Sequence, residues 1–385
     1  MDKRRSALVP KPDLAVSRGL LAFILAFLVA PAVSGQEAPT PGATPPAAPE
    51  AAPAAPPSPR IDVTGFVDVY YEYNFNKVDP ALRTFDVQHN AFSLSLAEIA
   101  FAKGVTTDSR VGFRVDLDFG KTADLVAAYE PEPDGKEIYK HVQQAYLSVL
   151  AGSKLQLDAG KFVTPLGAEV IESQDNWNYS RSVLFGYAIP FYHMGVRATL
   201  PVSDKLSFAG YLVNGWNNSS EIYGGFPGVG VTATVKPSPK LTWIANYMAS
   251  QEAKTADTRH IFDTTLTLAA TTKLSLQANY DYGKEGGMTW WGIAAYAKAQ
   301  LRPSWAVVAR YEYLDDSDGG FMTIGQKAQT LTITSDHLLA GALKLRLEYR
   351  GDFTPQPFFV DDTGRKKDSQ HALLAGVVVT FGGKI

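Results

Sequence analysis

The chain has 385 residues, 36 basic and 39 acidic side chains for a net charge of -3, and no cysteine. The near-neutral balance argues against a nucleic-acid partner, and the lack of cysteine excludes a disulfide framework and any thiolate metal site. It also suits a chain that crosses an oxidising compartment unfolded.

Residues 1–35 read as a secretory signal. Lys3, Arg4, Arg5, Lys11 and Arg18 surround the start of an apolar run from Leu20 to Ala30, and Val33-Ser34-Gly35 forms a small-residue cleavage site. The run is too short to cross a bilayer as a helix, so its removal is expected. Without the five basic and two acidic residues of this segment, 31 basic and 37 acidic residues remain, a net charge of -6. Residues 36–60 are a proline-alanine tract with no apolar periodicity, which predicts a solvated periplasmic linker reaching up to about 75 Å at about 3.1 Å per residue.

From Ile61 onward the dominant signal is period two. Val111, Phe113, Val115, Leu117 and Phe119 alternate with Gly112, Arg114, Asp116, Asp118 and Gly120. Leu343, Leu345, Leu347 and Tyr349 alternate in the same way with Lys344, Arg346, Glu348 and Arg350. Alternation alone fits either a soluble sandwich or a membrane barrel with a wet lumen. Four further features decide: the secretory signal, the turn and loop pattern, aromatic placement, and strand length, because runs of about 9 to 13 residues exceed the soluble average of about five or six and match a tilted bilayer crossing.

Short turns also alternate with long loops. The short ones fall at Lys103 to Ser109, Ala151-Gly152, Pro201 to Lys205, Pro237 to Pro239, Thr271-Thr272, Arg302-Pro303 and Ser335 to His337. The long ones lie near 75–90, 121–140, 163–190, 216–225, 251–259, 283–288, 315–327 and 351–370. Tyrosine and tryptophan collect at strand ends, at Tyr71, Tyr73, Trp216, Trp243, Tyr280, Trp290 and Tyr311 among others, as they do at bilayer interfaces. The expected fold is therefore all-β: a transmembrane, antiparallel up-and-down barrel of about 16 strands over 61–385, with long external loops and short periplasmic turns. The apolar phase is weakest over 328–335 and over 91–102, where it slips near Leu96-Ala97, the mark of a bulge.

The segment from Gly160 to Trp216 stands apart. Between two alternating strands it carries an irregular, aromatic-studded insert of about 28 residues, too long for a plain connection. Its blocks GKFVTPLGAE (160–169), NWNYSRSVLF (176–185), YHMGVRATLP (192–201) and LVNGWN (212–217) resemble those of β-barrel porins of the OmpL-like type (the porin-2 group). The similarity to phosphate-selective porins is more distant. The resemblance implies an outer-membrane barrel with a porin-like role and supplies no substrate. At the carboxyl end Gly376, Val379 and Phe381 are similar to the last-strand pattern of outer-membrane barrels, although the chain continues for four further residues.

Catalytic chemistry is hard to place. His89, His141, His193, His260, His337 and His371 are scattered without metal spacing and read as loop or rim residues. The run 315–320 (DDSDGG) lacks the closing glutamate of a calcium loop and reads as a solvated acidic loop. Neither cofactor nor metal is expected. An outer-membrane lipase would need a lipid-facing serine with histidine and an orienting group, and the alternation offers no such set.

The polar phase predicts the lumen. Asp68, Glu72, Asp116 and Asp118, offset by Arg114, form an acidic wall; Lys298, Arg310, Lys344, Arg346 and Arg350, offset by Glu312 and Glu348, form a basic one. Glu169, Glu172, Asp175 and Arg181 of the long insert are expected to bend between these walls and form the constriction. The chain so read is an outer-membrane porin passing small hydrophilic solutes by diffusion, with outer-membrane lipid as its solvent and no enzymatic activity. A homo-oligomer and a cell-wall contact through the linker stay open. The competing reading is a structural or adhesive barrel with a closed lumen. Two expectations about substitutions accompany the assignment of faces. Arg346→Asp should be tolerated where Leu345→Arg is not, and neutralising Glu169 and Glu172 should barely affect stability.

Overall fold

The computed structural model describes residues 60–384 apart from 132 and 255, so the signal segment and the linker up to residue 59 lie outside the described residues. The strands in chain order are β1 (Asp62–Asn74), β2 (Ala91–Lys103), β3 (Val111–Phe119), β4 (Val142–Ala151), β5 (Leu155–Val163), β6 (Tyr192–Ser203), β7 (Leu206–Val213), β8 (Gly228–Ser238) and β9 (Leu241–Gln251). They continue as β10 (Thr258–Ala269), β11 (Leu274–Glu285), β12 (Met288–Arg302), β13 (Trp305–Asp318), β14 (Lys327–Ala340), β15 (Leu343–Phe353), β16 (Phe359–Val360), β17 (Lys366–Lys367) and β18 (Ser369–Lys384). Strands β16 and β17 form a small hairpin of their own. The other sixteen close into an antiparallel barrel in which each strand pairs with its sequence neighbour and β18 returns to β1.

Side-chain exposure settles which face is which. On β1, Val67 and Val69 are 43% and 41% exposed, whereas Asp68 and Glu72 are 0% and 1%. Valines outside and carboxylates inside invert the pattern of a water-soluble sheet, so the apolar face meets lipid and the charged face the lumen. The slip expected near Leu96-Ala97 is a bulge: Leu94 pairs with Val69 and Leu96 with Asp68, leaving Ser95 as the extra residue.

Two connections differ from the sequence reading. Ser335 to His337 is no turn but part of β14, which runs to Ala340 before Gly341, at φ 49, reverses the chain. Its polarity is met within the wall, because the Trp305 indole N–H donates to Ser335 Oγ at 2.9 Å and the ring stacks on His337 at 5.7 Å between centroids. The loop expected over 283–288 shrinks to residues 286–287 between β11 and β12. At the other end, β18 continues past Phe381 and pairs with β1 as far as Asp62↔Lys384, so residues 382–384 belong to the closing seam.

Loop 1 (75–90), loop 2 (120–141) and loop 3 (164–191) are the long connections after β1, β3 and β5. Loop 2 contains two short helices, α1 (Lys121–Ala127) and α2 (Pro133–Tyr139). On α1, Thr122 and Ala123 are buried, and the Thr122 hydroxyl lies 3.2 Å from that of bulge residue Ser95.

Candidate pore and its inward loop

Loop 3 has little regular structure, only a 3₁₀ turn at Ser173–Asp175 and a π turn at Leu184–Ala188. Its backbone N–H and C=O groups therefore need partners from elsewhere when the segment is buried. The barrel wall supplies them through charged side chains that face inward. Glu348 of β15 accepts the amide hydrogens of Tyr179 (2.7 Å) and Ser180 (3.1 Å), and Glu312 of β13 accepts that of Val183 (2.7 Å). Arg346 donates to the carbonyls of Ser173, Asn176 and Asn178, Arg350 to that of Arg181 (2.8 Å), and Lys344 to that of Gln174 (3.0 Å). Bonds to ionised partners are about twice as strong as neutral ones, which suits a wall that must order an irregular segment.

Arg310 of β13 is the centre of this attachment. It is fully buried, donates to the Ser180 carbonyl at 2.6 Å, and pairs with loop residue Glu169 at 2.8 Å and with Glu312 at 3.2 Å. Four strands round the wall, Asp68 of β1 accepts from the Ser173 hydroxyl at 2.7 Å and the Tyr179 hydroxyl at 2.8 Å. The ring of Tyr179 lies on Gly376 of β18, where a Cβ would come within 2.4 Å of it. Asn279 of β11 accepts the Ala168 amide hydrogen at 2.7 Å, and Trp290 of β12 donates to the Ala188 carbonyl at 3.1 Å. Loop 3 thus leaves β5 and attaches to β13, eight strands away across the barrel.

The residues predicted to form a constriction separate into two groups. Arg181, Arg310 and Arg346 are at most 2% exposed; they hold the loop in place and offer no charge to open water. Arg181 in particular donates to the loop's own Val170, Ile171 and Tyr179 carbonyls, and its guanidinium lies 5.0 Å above the Phe85 ring. Glu169 is likewise buried and accepts the Ser182 amide hydrogen at 2.6 Å. Among the others, Asp175 is exposed, Glu172 is half-buried against Gln143, and Lys298 lies 5.9 Å over Trp177. Arg114, with 39% of its side chain exposed, chelates Asp116 at 2.8 Å, and Asp118 is buried opposite Glu98 on β2.

Many inward side chains are closed off from solvent. Asp68, Asp116, Asp158, His193, Asn246, Asp263, Arg310, Thr332 and Arg346, from nine different strands, are each no more than 2% exposed. His193 stands at the loop end of β6, as expected of a rim residue, but is buried, bonded to the Gly215 carbonyl at 3.0 Å and the Thr164 hydroxyl at 3.1 Å.

Sequence reasoning missed a second inward loop. In loop 1, Leu82 and Phe85 are 4% and 1% exposed, and Arg83 sits between Asp352 (2.6 Å), Asp86 (3.1 Å) and Glu72 (3.6 Å). Phe85 packs against Phe185 and Phe191, at 6.2 and 5.9 Å between centroids. The apolar pair Leu82 and Phe85 around an arginine was the available signal. Asp316, expected in a solvated loop, is also buried and accepts amide hydrogens from Met322, Ile324 and Gly325 at 2.9 to 3.0 Å. The displaced β14 turn puts a serine and a histidine together on the outer face, Ser335 Oγ lying 2.8 Å from His337 Nε2. That pair packs against Trp305, whose N–H donates to Ser335 and whose ring stacks on His337.

A family model described as "Putative beta-barrel porin-2, OmpL-like" matches residues 60–381. Among solved structures, the outer membrane channel DcaP of Acinetobacter baumannii superposes with a TM-score of 0.57 at 14% identity, covering 85% of this chain and 99% of that one. The anion-selective porin from Comamonas acidovorans gives 0.58 at 13% identity, covering 83% and 99%. Salmonella typhi OmpF gives 0.56 at 13% identity, covering 83% and 97%. Likeness at such identity shows the fold alone. No curated protein sequence matches the chain significantly.

Proposed function

The chain belongs to the OmpL-like beta-barrel porin-2 family, and from that premise we propose that it passes small hydrophilic solutes by diffusion along a lumen whose width loop 3 sets. As a porin with a closed sixteen-stranded barrel it is a channel-type protein of the Gram-negative outer membrane, with its apolar face in lipid. The observation that carries the finer reading is the attachment of the loop 3 backbone to charged side chains on β13 and β15. A loop held by its backbone can be released without unfolding the barrel, since the strand ladders do not depend on it.

Replacing residues 168–183 by a short Gly-Ser bridge in the full chain should raise single-channel conductance in a planar bilayer. Unchanged conductance would leave the wall alone to set the pore. A second reading, a barrel closed at rest, is favoured by the burial of inward side chains from nine strands. It predicts a silent parent and a conducting loop-shortened variant.

A further inference from the structure

Four strands that rise from the short-turn side begin with the same dipeptide: Lys154-Leu155 at β5, Lys205-Leu206 at β7, Lys240-Leu241 at β9 and Lys273-Leu274 at β11. Each leucine stands in the outward phase of its strand. On β7 that phase continues through Phe208, 47% exposed, and Leu212, 38% exposed. Strand alternation therefore gives the preceding lysine the inward phase. All four lysines are exposed, and Lys236 near the end of β8 and Arg302 at the end of β12 extend the basic rim.

Three of these lysines share one cavity. A space of about 380 Å3 at the periplasmic mouth is lined by Lys154, Lys205 and Lys236 together with Ser203, Ser207 and Thr234. Ser207 and Thr234 are direct register partners across β7 and β8. Ser207 shares its strand face with the inward phase of β7, opposite in phase to Phe208, which is 47% exposed. Lys154 makes one long bond, 3.5 Å to the Val202 carbonyl. Asp204 also borders the cavity, yet among the described residues no carboxylate comes within the 4.0 Å of an ion pair with any of the three ammonium groups.

We propose that this cavity is an oxyanion subsite and the rim around it an electropositive vestibule, so that the solutes of this porin are small anions bearing carboxylate or phosphate. The inference rests on the porin reading and names its substrate class. Three ammonium groups and three hydroxyls supply more hydrogen-bond donors than the one lining carboxylate, Asp204, can take up, which is the donor excess an oxyanion needs. A basic mouth backed by a low-dielectric wall concentrates anions, and the effect weakens as salt rises.

The test uses the full folded chain. In a planar bilayer under a potassium chloride gradient, the reversal potential should have the sign of anion preference. Inorganic phosphate on the short-turn side should reduce the chloride current saturably. The triple variant K154Q/K205Q/K236Q should lower the anion-to-cation permeability ratio by about threefold or more at low salt and lose the phosphate effect, while K154R/K205R/K236R retains both. Lys327→Gln on the external side serves as the control and should change neither. Phosphate binding is read separately by phosphorus NMR line broadening with the detergent-solubilised barrel. A barrel that broadens the phosphate line but conducts nothing keeps the subsite and overturns the porin reading. A conducting barrel that prefers cations, or whose phosphate response survives in the glutamine variant, overturns the proposal.

Discussion

Replacing Arg310 by methionine tests whether loop 3 is a detachable part. Arg310 is the buried cation for two buried carboxylates, Glu169 at 2.8 Å and Glu312 at 3.2 Å, and it also bonds the Ser180 carbonyl at 2.6 Å. Methionine keeps most of the volume and removes the charge, which strands both carboxylates. Breaking a buried pair by removing one partner costs about 3 to 5 kcal/mol. The β13 ladder uses backbone bonds only, so this cost falls on the docked state of the loop. At about 1.4 kcal/mol per factor of ten, 3 kcal/mol shifts the docked-to-released ratio by roughly a hundredfold. The assay is trypsin cleavage after Arg181, which is 2% exposed and hence protected in the parent barrel, combined with single-channel recording. Expected are rapid cleavage and larger conductance from a barrel that still runs as folded, heat-modifiable protein. If Arg310→Met resists trypsin and conducts like the parent, the loop is held by its apolar contacts and the ionic attachment is incidental.

Gly376→Val should dislodge the Tyr179 ring, because a Cβ there would lie within 2.4 Å of it; trypsin sensitivity at Arg181 again reports the outcome, and continued protection would count against it. Leu347→Arg, on the lipid face at 48% exposure near the middle of β15, should cost about 2 to 4 kcal/mol in urea unfolding from lipid vesicles. Leu345→Arg, expected from the sequence not to be tolerated, lies two residues inside the end of the strand and should cost only about 0 to 1 kcal/mol, and equal losses would refute the depth assignment. In the external loop before β18, the Thr363 hydroxyl, amide hydrogens and Lys367 hold the Asp361 carboxyl below its ordinary range. A depressed folded pKa means the contact contributes fully above the ordinary aspartate value of about 3.9 and is lost as pH falls through the folded one. Asp361→Asn should therefore speed amide exchange in 361–366 at neutral pH, and a variant indistinguishable from the parent there would remove the carboxylate from the account.

The barrel was legible because its signal is local. Alternation at Val111 to Gly120 and at Leu343 to Arg350 depends on neighbours two apart, and the bulge at Ser95 showed as a slip in that same phase. The turn at Ser335 to His337 was misplaced because polar residues at the end of a strand satisfy one another against Trp305 as well as they would in a turn. What the inward charges do was not legible. Their partners are backbone groups of a loop some 130 to 170 positions away, and a carbonyl carries no residue label. Arg346→Asp, expected to be tolerated on a wet wall, would instead remove donors to three loop carbonyls and set a carboxylate against them. Neutralising Glu169 would likewise weaken a buried clamp rather than leave stability untouched.

The seam between β1 and β18 has a temporal consequence. Every other barrel pairing joins barrel strands that follow one another in sequence, so each can form as soon as its two strands exist, whereas the β1–β18 pairing joins the first strand of the barrel to its last. Contacts so far apart in sequence form slowly, and until they do both edges of the sheet expose unpaired backbone groups. During that interval the nascent sheet needs an escort in the periplasm or an acceptor in the membrane. Removing 382–385 would shorten the seam by the three pairs at its end and lengthen the time the edges stay open, a defect of assembly rate rather than of the finished channel.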